Sequence, residues 1–220
     1  MDAYLDKGVE EFKKQLNERA NLLDINKRYK DDGRTLLQKA CHMGEFEIVK
    51  CILIESQKLT FRNNAKLDIN ARSVKSCETA LIIAARRRQW RIVRNLLINN
   101  KLGHQICIHA RSRYDTTALM EASMNHVEWL MQRLLIGVKH KTTELYDSEH
   151  INVIIKLLQP HLGHHKGAQP CLHLLTKYNK NPRQIRSSIR RFYEYHINDA
   201  ARLYGMILLL RFEFLKIKVF

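Results

Sequence analysis

The sequence predicts an all-α fold, a solenoid of short helical hairpins in which each pair of helices stacks on the next. Three observations predict it. One pattern occurs three times: G-R-T-L-L-Q-K-A-C-H-M-G-E-F-E-I-V-K-C-I-L from Gly33, C-E-T-A-L-I-I-A-A-R-R-R-Q-W-R-I-V-R-N-L-L from Cys77, and D-T-T-A-L-M-E-A-S-M-N-H-V-E-W-L-M-Q-R-L-L from Asp115. In each copy a Thr stands five residues before an Ala and thirteen and fourteen before an apolar pair, with a second apolar pair four residues later, which is helical spacing. The copies keep their length while the segments between them do not, since Thr35, Thr79 and Thr117 are separated by 44 and 38 residues. Loops lengthen at little entropic cost, whereas helices that stack on neighbours are held to one length.

The elements follow in order. Met1 to Asn21 mixes acidic and basic residues and holds no apolar h-region, so it does not read as a secretory signal. Within it Val9, Phe12 and Leu16 fall at helical spacing and are expected to cover the open end of the stack, because a terminal unit otherwise exposes its apolar face. In the first copy Thr35 is the expected N-cap, its hydroxyl meeting orphan amides of the first turn. Leu37 and Ala40 face the stack, and Ala is small because a second helix must cross close by. Gly44 permits the sharp turn between helices, where a positive φ is cheap only without a Cβ. Phe46, Ile48, Val49, Ile52 and Leu53 then form an apolar stripe, which reads as hydrophobic core. In the third copy Glu128 stands where Phe46 and Trp90 stand, which predicts a small rotation of that helix.

The combined pattern T-x-L-x-x-A…G-x-x-x-I-V-x-x-L-L resembles the ankyrin family, whose period is about 33 residues, with insertions here of roughly 11 and 5 between copies. The resemblance runs from Leu22 to Val138, and the phrases Asp24-Ile25-Asn26 and Asp68-Ile69-Asn70 match the family's connector ahead of a new unit. There are departures. The family's Thr-Pro-Leu-His becomes Thr35-Leu36-Leu37-Gln38, Thr79-Ala80-Leu81-Ile82 and Thr117-Ala118-Leu119-Met120, and its turn glycine becomes Arg88 and His126. Without the Pro or the His, capping and side-chain hydrogen bonds are expected to be weaker and stability modest.

The resemblance implies a recognition surface, with contact residues on the hairpin tips and at the end of each first helix. Carried over, these positions are Asp31, Asp32, Arg34, His42 and Met43 in the first unit. The second supplies Lys75, Ser76, Glu78, Arg86 and Arg87, and the third Arg113, Tyr114, Thr116, Met124 and Asn125. Arginines on the expected concave face, joined by Tyr114 and Met124, suit an acidic peptide or acidic protein surface, since a guanidinium fork and a rigid ring give much contact for little entropy loss. Degenerate ankyrin arrays with helical tails also occur among effectors that intracellular bacteria deliver into host cells, an alternative resting on resemblance alone.

Residues 1–21 are thus expected to form a capping helix, 22–140 three repeats and 141–220 a helical extension, either degenerate repeats or an independent helical domain. In the extension Ile151, Ile154, Ile155 and Leu158 predict a helix ended by Pro160. Leu172, Leu174 and Leu175 predict another after Pro170, and Pro182 opens a third with Ile185, Ile189 and Phe192 on one face. Asn198 is the expected N-cap of a last helix through Leu203, Ile207 and Leu210. Its apolar run, Leu203 to Leu210, is far shorter than the roughly 20 residues that span a bilayer, so no membrane span is expected.

The net charge is +16, and from Thr79 to Tyr114 there is no acidic residue while Arg86, Arg87, Arg88, Arg91, Arg94, Lys101, Arg111 and Arg113 all fall there. Arg183, Arg186, Arg190 and Arg191 form a second cluster. The plain reading is a solvated face. Nucleic acid or another anionic surface is the alternative partner, although no aromatic residues interleave with the basic ones and no nucleic-acid motif occurs.

Five cysteines, Cys41, Cys51, Cys77, Cys107 and Cys171, lack any C-x-x-C and point to a reducing compartment, the cytoplasm or nucleus. His161, His164, His165, Cys171 and His173 lie close together, and His104, Cys107 and His109 form a second group. Either could supply part of a zinc tetrahedron, but neither spacing matches a known finger or ribbon, and a His-rich polar loop is the plainer reading. G-x-S-x-G, H-E-x-x-H and a phosphate-binding glycine loop are all absent, so neither an enzyme nor a cofactor is expected.

Overall fold

The computed structural model describes residues 9–59, 61–98, 105–136, 146–162, 165 and 167–192. The described residues hold ten helices and short 3₁₀ turns, with no strand beyond one antiparallel bridge between Arg28 and Thr35. α1 is Val9–Arg19. Three hairpins follow: α2 Leu36–Met43 with α3 Phe46–Glu55, α4 Ala80–Arg86 with α5 Trp90–Ile98, and α6 Ala118–Met124 with α7 Glu128–Ile136. α8 Ser148–Leu158, α9 Ala168–Lys180 and α10 over residues 182–192 complete the described chain.

Neighbouring helices pack in chain order. First helices touch first helices, α2 on α4, α4 on α6 and α6 on α8; α3 packs on α5, and α9 on α7. The close approach of the first helices has a cause in the sequence, because Ala40, Ala84 and Ala122 are all completely buried. Both apolar pairs are buried in every hairpin: Ile48, Val49, Ile52 and Leu53; Ile92, Val93, Leu96 and Leu97; Leu130, Met131, Leu134 and Leu135. The rotation expected for α7 is therefore not found. Glu128 stays exposed, and Val127, one residue earlier, packs against the core in its place.

The hairpins repeat their backbone as well as their packing. Each first helix is capped by its Thr, whose side chain accepts from the amide three residues on: Gln38, Ile82 and Met120. Thr35 and Gln38 close a full capping box. The caps therefore persist despite the departures, but their bonds are long, at 3.4, 3.4 and 3.2 Å, and only the first is completed into a box. Gln38 also donates to the carbonyls of Ala71 at 2.5 Å and Glu78 at 3.0 Å, tying the first unit to the second. Left-handed residues recur at two places per unit, Gly33, Cys77 and Asp115 at the tips and Gly44, Arg88 and His126 between the helices. Only the first unit uses glycine for both.

The Asp-Ile-Asn phrases act as staples. Asn26 donates to Lys66 O at 2.7 Å and accepts from Asp68 N at 2.8 Å, and Asn70 does the same with Gln105 O at 2.6 Å and Cys107 N at 2.8 Å. A polar side chain that matches both groups of the next loop fixes the register between units.

At the N-terminal end α1 buries Phe12 and Leu16 and packs on α3, as the cap requires. Beyond the third hairpin, α8 carries Ile151, Ile154 and Leu158 inward from an Asp147 N-cap. α9 begins at Ala168, so Pro170 lies inside its first turn instead of preceding it; a first-turn proline loses no intrahelical bond. On α10 Ile189 is buried and Ile185 packs against the core, but Phe192 is 56% exposed and leaves the expected face. The helix expected from Asn198 lies outside the described residues.

Candidate functional site

The three tips are joined edge to edge. Val74 N donates to Gly33 O at 3.2 Å and Arg113 N to Ser76 O at 2.8 Å. A Cβ on Gly33 would lie 2.5 Å from Val74 Cβ, so glycine is what lets the first tip approach the second. Behind the tips runs a ladder of arginines. Arg28 donates to Gly33 O at 3.1 Å and to Arg72 O; Arg72 donates to Cys77 O at 3.2 Å and to Arg111 O; Arg111 pairs with Asp115 at 2.9 Å. Arg111 therefore belongs to the scaffold. Arg28 and Arg72 recur in the sequence, each four residues after the Asp of Asp-Ile-Asn, but no such phrase precedes Arg111, so its place in the ladder was not legible.

The residues expected to contact a partner divide into two groups. Glu78 is buried, accepts from Ser76 Oγ at 2.7 Å and pairs with Arg86 at 2.8 Å. Burial raises the Glu121 carboxyl above its usual range, opposed by the nearby Arg86 guanidinium and aided by Glu78. Arg86 thus sits between two buried carboxylates. Asp32 pairs with Arg34 at 3.2 Å, and Asn125 donates to Glu121 O at 2.8 Å. Ser76, Thr116 and Asn125 are half-buried. These groups mainly hold the frame together.

What the frame presents outward is different. Tyr114 is 74% exposed, Val74 58%, Met43 51% and Met124 47%, all at tips or at first-helix ends. Val74 was not expected there and carried no signal beyond its place in the turn. Asp31, Lys75, Arg87 and Arg113 are exposed beside them. Lys75 Nζ donates to Asp31 O at 2.7 Å, Arg113 reaches Val74 O at 3.4 Å, and Arg87 contacts the His42 ring. Partial burial, then Arg34, Arg87 and Arg86, hold His42 below the usual histidine range. At Asp31 the bond from Lys39 at 3.2 Å lowers the carboxyl. The remaining arginines leave this surface. Arg91 stacks 4.3 Å over the Phe46 ring, and both Arg91 and Arg94 are exposed on α5.

Histidines converge elsewhere. His161 and His165 meet His126, the turn residue of the third unit, with one ring nitrogen of each within 4.8 Å of the others. His164 lies outside the described residues. Cys171 does not join them; it is buried in the core, which pushes its thiol up to about 11, and His173 is exposed on α9. His126 is far from the pair in sequence, so no spacing could have revealed it. Another ring set joins unit three to α8, where Tyr146 lies 4.3 Å from His109 and stacks 5.5 Å from His150, and its hydroxyl donates to Ile108 O at 3.1 Å.

No helix among the described residues is long and apolar enough to cross a membrane. A scan against family models and a search of curated proteins each find no match.

Proposed function

We propose that the chain is an ankyrin-type solenoid that acts as a protein–protein interaction module, binding a partner across the joined tips and first-helix ends. One observation carries the reading. Met43, Val74, Tyr114 and Met124 are large apolar side chains held exposed at the tips and first-helix ends of the three units. A rigid frame that keeps such groups in solvent fits a surface awaiting a partner. Basic side chains outnumber acidic ones around them, with Lys75, Arg87 and Arg113 against Asp31 and Asp115, the latter paired with Arg111, which suits a partner combining an apolar anchor with acidic groups. Arg86, with its side chain 40% exposed, is paired with Glu78 and has chiefly a framing role.

The test is affinity capture from lysate at low and high salt with nuclease treatment, comparing the parent with Tyr114→Ala/Met124→Ala and with Arg87→Glu. A discrete protein retained at high salt by the parent, lost by the double variant and weakened by Arg87→Glu supports the reading. Recovery of nucleic acid alone, released by salt and indifferent to Tyr114 and Met124, would reject it in favour of counterion-driven binding.

A further inference from the structure

His161 and His165 are four residues apart, joined by a bond from His165 N to His161 O at 3.1 Å, and their rings lie side by side. Facing them is His126, held at φ 56° in the turn between α6 and α7. Ring centroids lie 5.5 Å apart for His126 and His161, 4.9 Å for His126 and His165, and 5.8 Å for His161 and His165. This is a side-chain cluster drawn from two remote segments. The approach depends on Gly167, where a Cβ would lie 2.9 Å from His126 Cβ.

One further feature points to a ligand. His126 Nδ1 is buried with no hydrogen-bond partner, which leaves a polar atom without compensation. No carboxylate belongs to the group, so its donors are all nitrogen. That set suits zinc and its borderline neighbours and not calcium or magnesium, which take oxygen.

We propose that His126, His161 and His165 form a three-histidine site for a divalent transition metal, zinc foremost, with a further position open to water or an outside ligand. Zinc–nitrogen bonds of about 2.0–2.1 Å require the three nitrogens to draw closer than they lie here. Rotation of the exposed His165 ring and the half-buried His161 ring supplies that movement, while the turn and Gly167 fix His126. The bound metal would clip the third hairpin to the α8–α9 connection. The site adjoins the partner surface at the end of α6, where His126 lies two residues from Met124, but it does not rest on that reading.

The test is calorimetric titration of the full chain, stripped with chelator, using zinc chloride alone. The parent is expected to bind about one zinc, and His161→Ala and His165→Ala each to weaken binding at least about tenfold. His173→Ala, outside the trio, should leave it unchanged. Zinc should raise the parent's melting temperature and not that of the two site variants, while all melt alike without metal. Absence of saturable binding, or binding as tight in His161→Ala and His165→Ala as in the parent, overturns the site. Loss confined to His173→Ala places the metal elsewhere and overturns it equally.

Discussion

Gly44 and Arg88 hold the same turn in the first and second hairpins, each nine residues after its capping threonine. Gly44 has φ 85° and Arg88 φ 58°, both left-handed. The Ala at the helix crossing and the paired apolar residues behind it are buried alike in both hairpins. What differs is cost, because a Cβ in that region is strained by about 1–2 kcal/mol. Packing therefore dictates the turn, and glycine lowers the strain of a conformation the stack would impose anyway.

The comparison can be broken most severely at the second hairpin's charge cluster. Arg86→Glu should cost about 2–3 kcal/mol, less than a fully buried pair because the guanidinium is partly exposed, by setting a third carboxylate beside Glu78 and Glu121. Chemical denaturation measures this, and a variant as stable as the parent would detach Arg86 from the frame. Ala84→Leu follows, at about 1–3 kcal/mol from overpacking the crossing with α2 and α6. An unchanged melting curve would show that these helices do not meet there. Thr79→Ala should remove a cap worth about 1 kcal/mol, and Thr117→Ala a similar amount, if the hairpins are equivalent.

The glycine comparison sharpens in two directions. Gly44→Ala should destabilise, since its Cβ would lie 2.6 Å from the Gln89 side-chain nitrogen and the backbone is left-handed. Arg88→Gly should stabilise by about 1 kcal/mol, the strain released being partly offset by the greater freedom of glycine in the unfolded chain. A loss of stability in Arg88→Gly would show that the arginine side chain contributes more than its backbone costs.

Acid gives the broadest test. His42, His126 and His150 are all held below their ordinary value of 6.5, chiefly by desolvation. The unfolded chain then binds more protons once pH falls below that value, so their contribution to stability is present above about pH 6.5 and is lost on acidification toward their folded values. Glu121 acts oppositely, because its raised carboxyl takes up a proton more readily when folded, and it moderates the loss nearer its ordinary value of 4.5. Denaturation midpoints that do not fall between neutrality and mild acid would contradict this assignment.

Legibility tracked how local the cause was. Threonine caps, crossing alanines and apolar pairs were all readable, since each acts within one helix or against the next copy of itself. The Asp-Ile-Asn staples showed as a phrase, but their reach to Lys66, Asp68, Gln105 and Cys107 did not. Glu78 and Arg86 read as surface residues because they stand at positions the family resemblance assigns to contacts. The structure turns Glu78 inward, where burying a carboxylate demands a paired cation.

The sequence by itself determined the helical hairpins, their number up to Ile136, their caps and the apolar face each turns inward. These follow from helix period and from the small set of residues that can start a helix or let another cross it. Only the tertiary structure decided which polar residues are frame and which face outward, and that His126 meets His161 and His165. The physical reason is that stacking brings together side chains remote along the chain, and their burial and pairing are properties of that neighbourhood, which no single segment encodes.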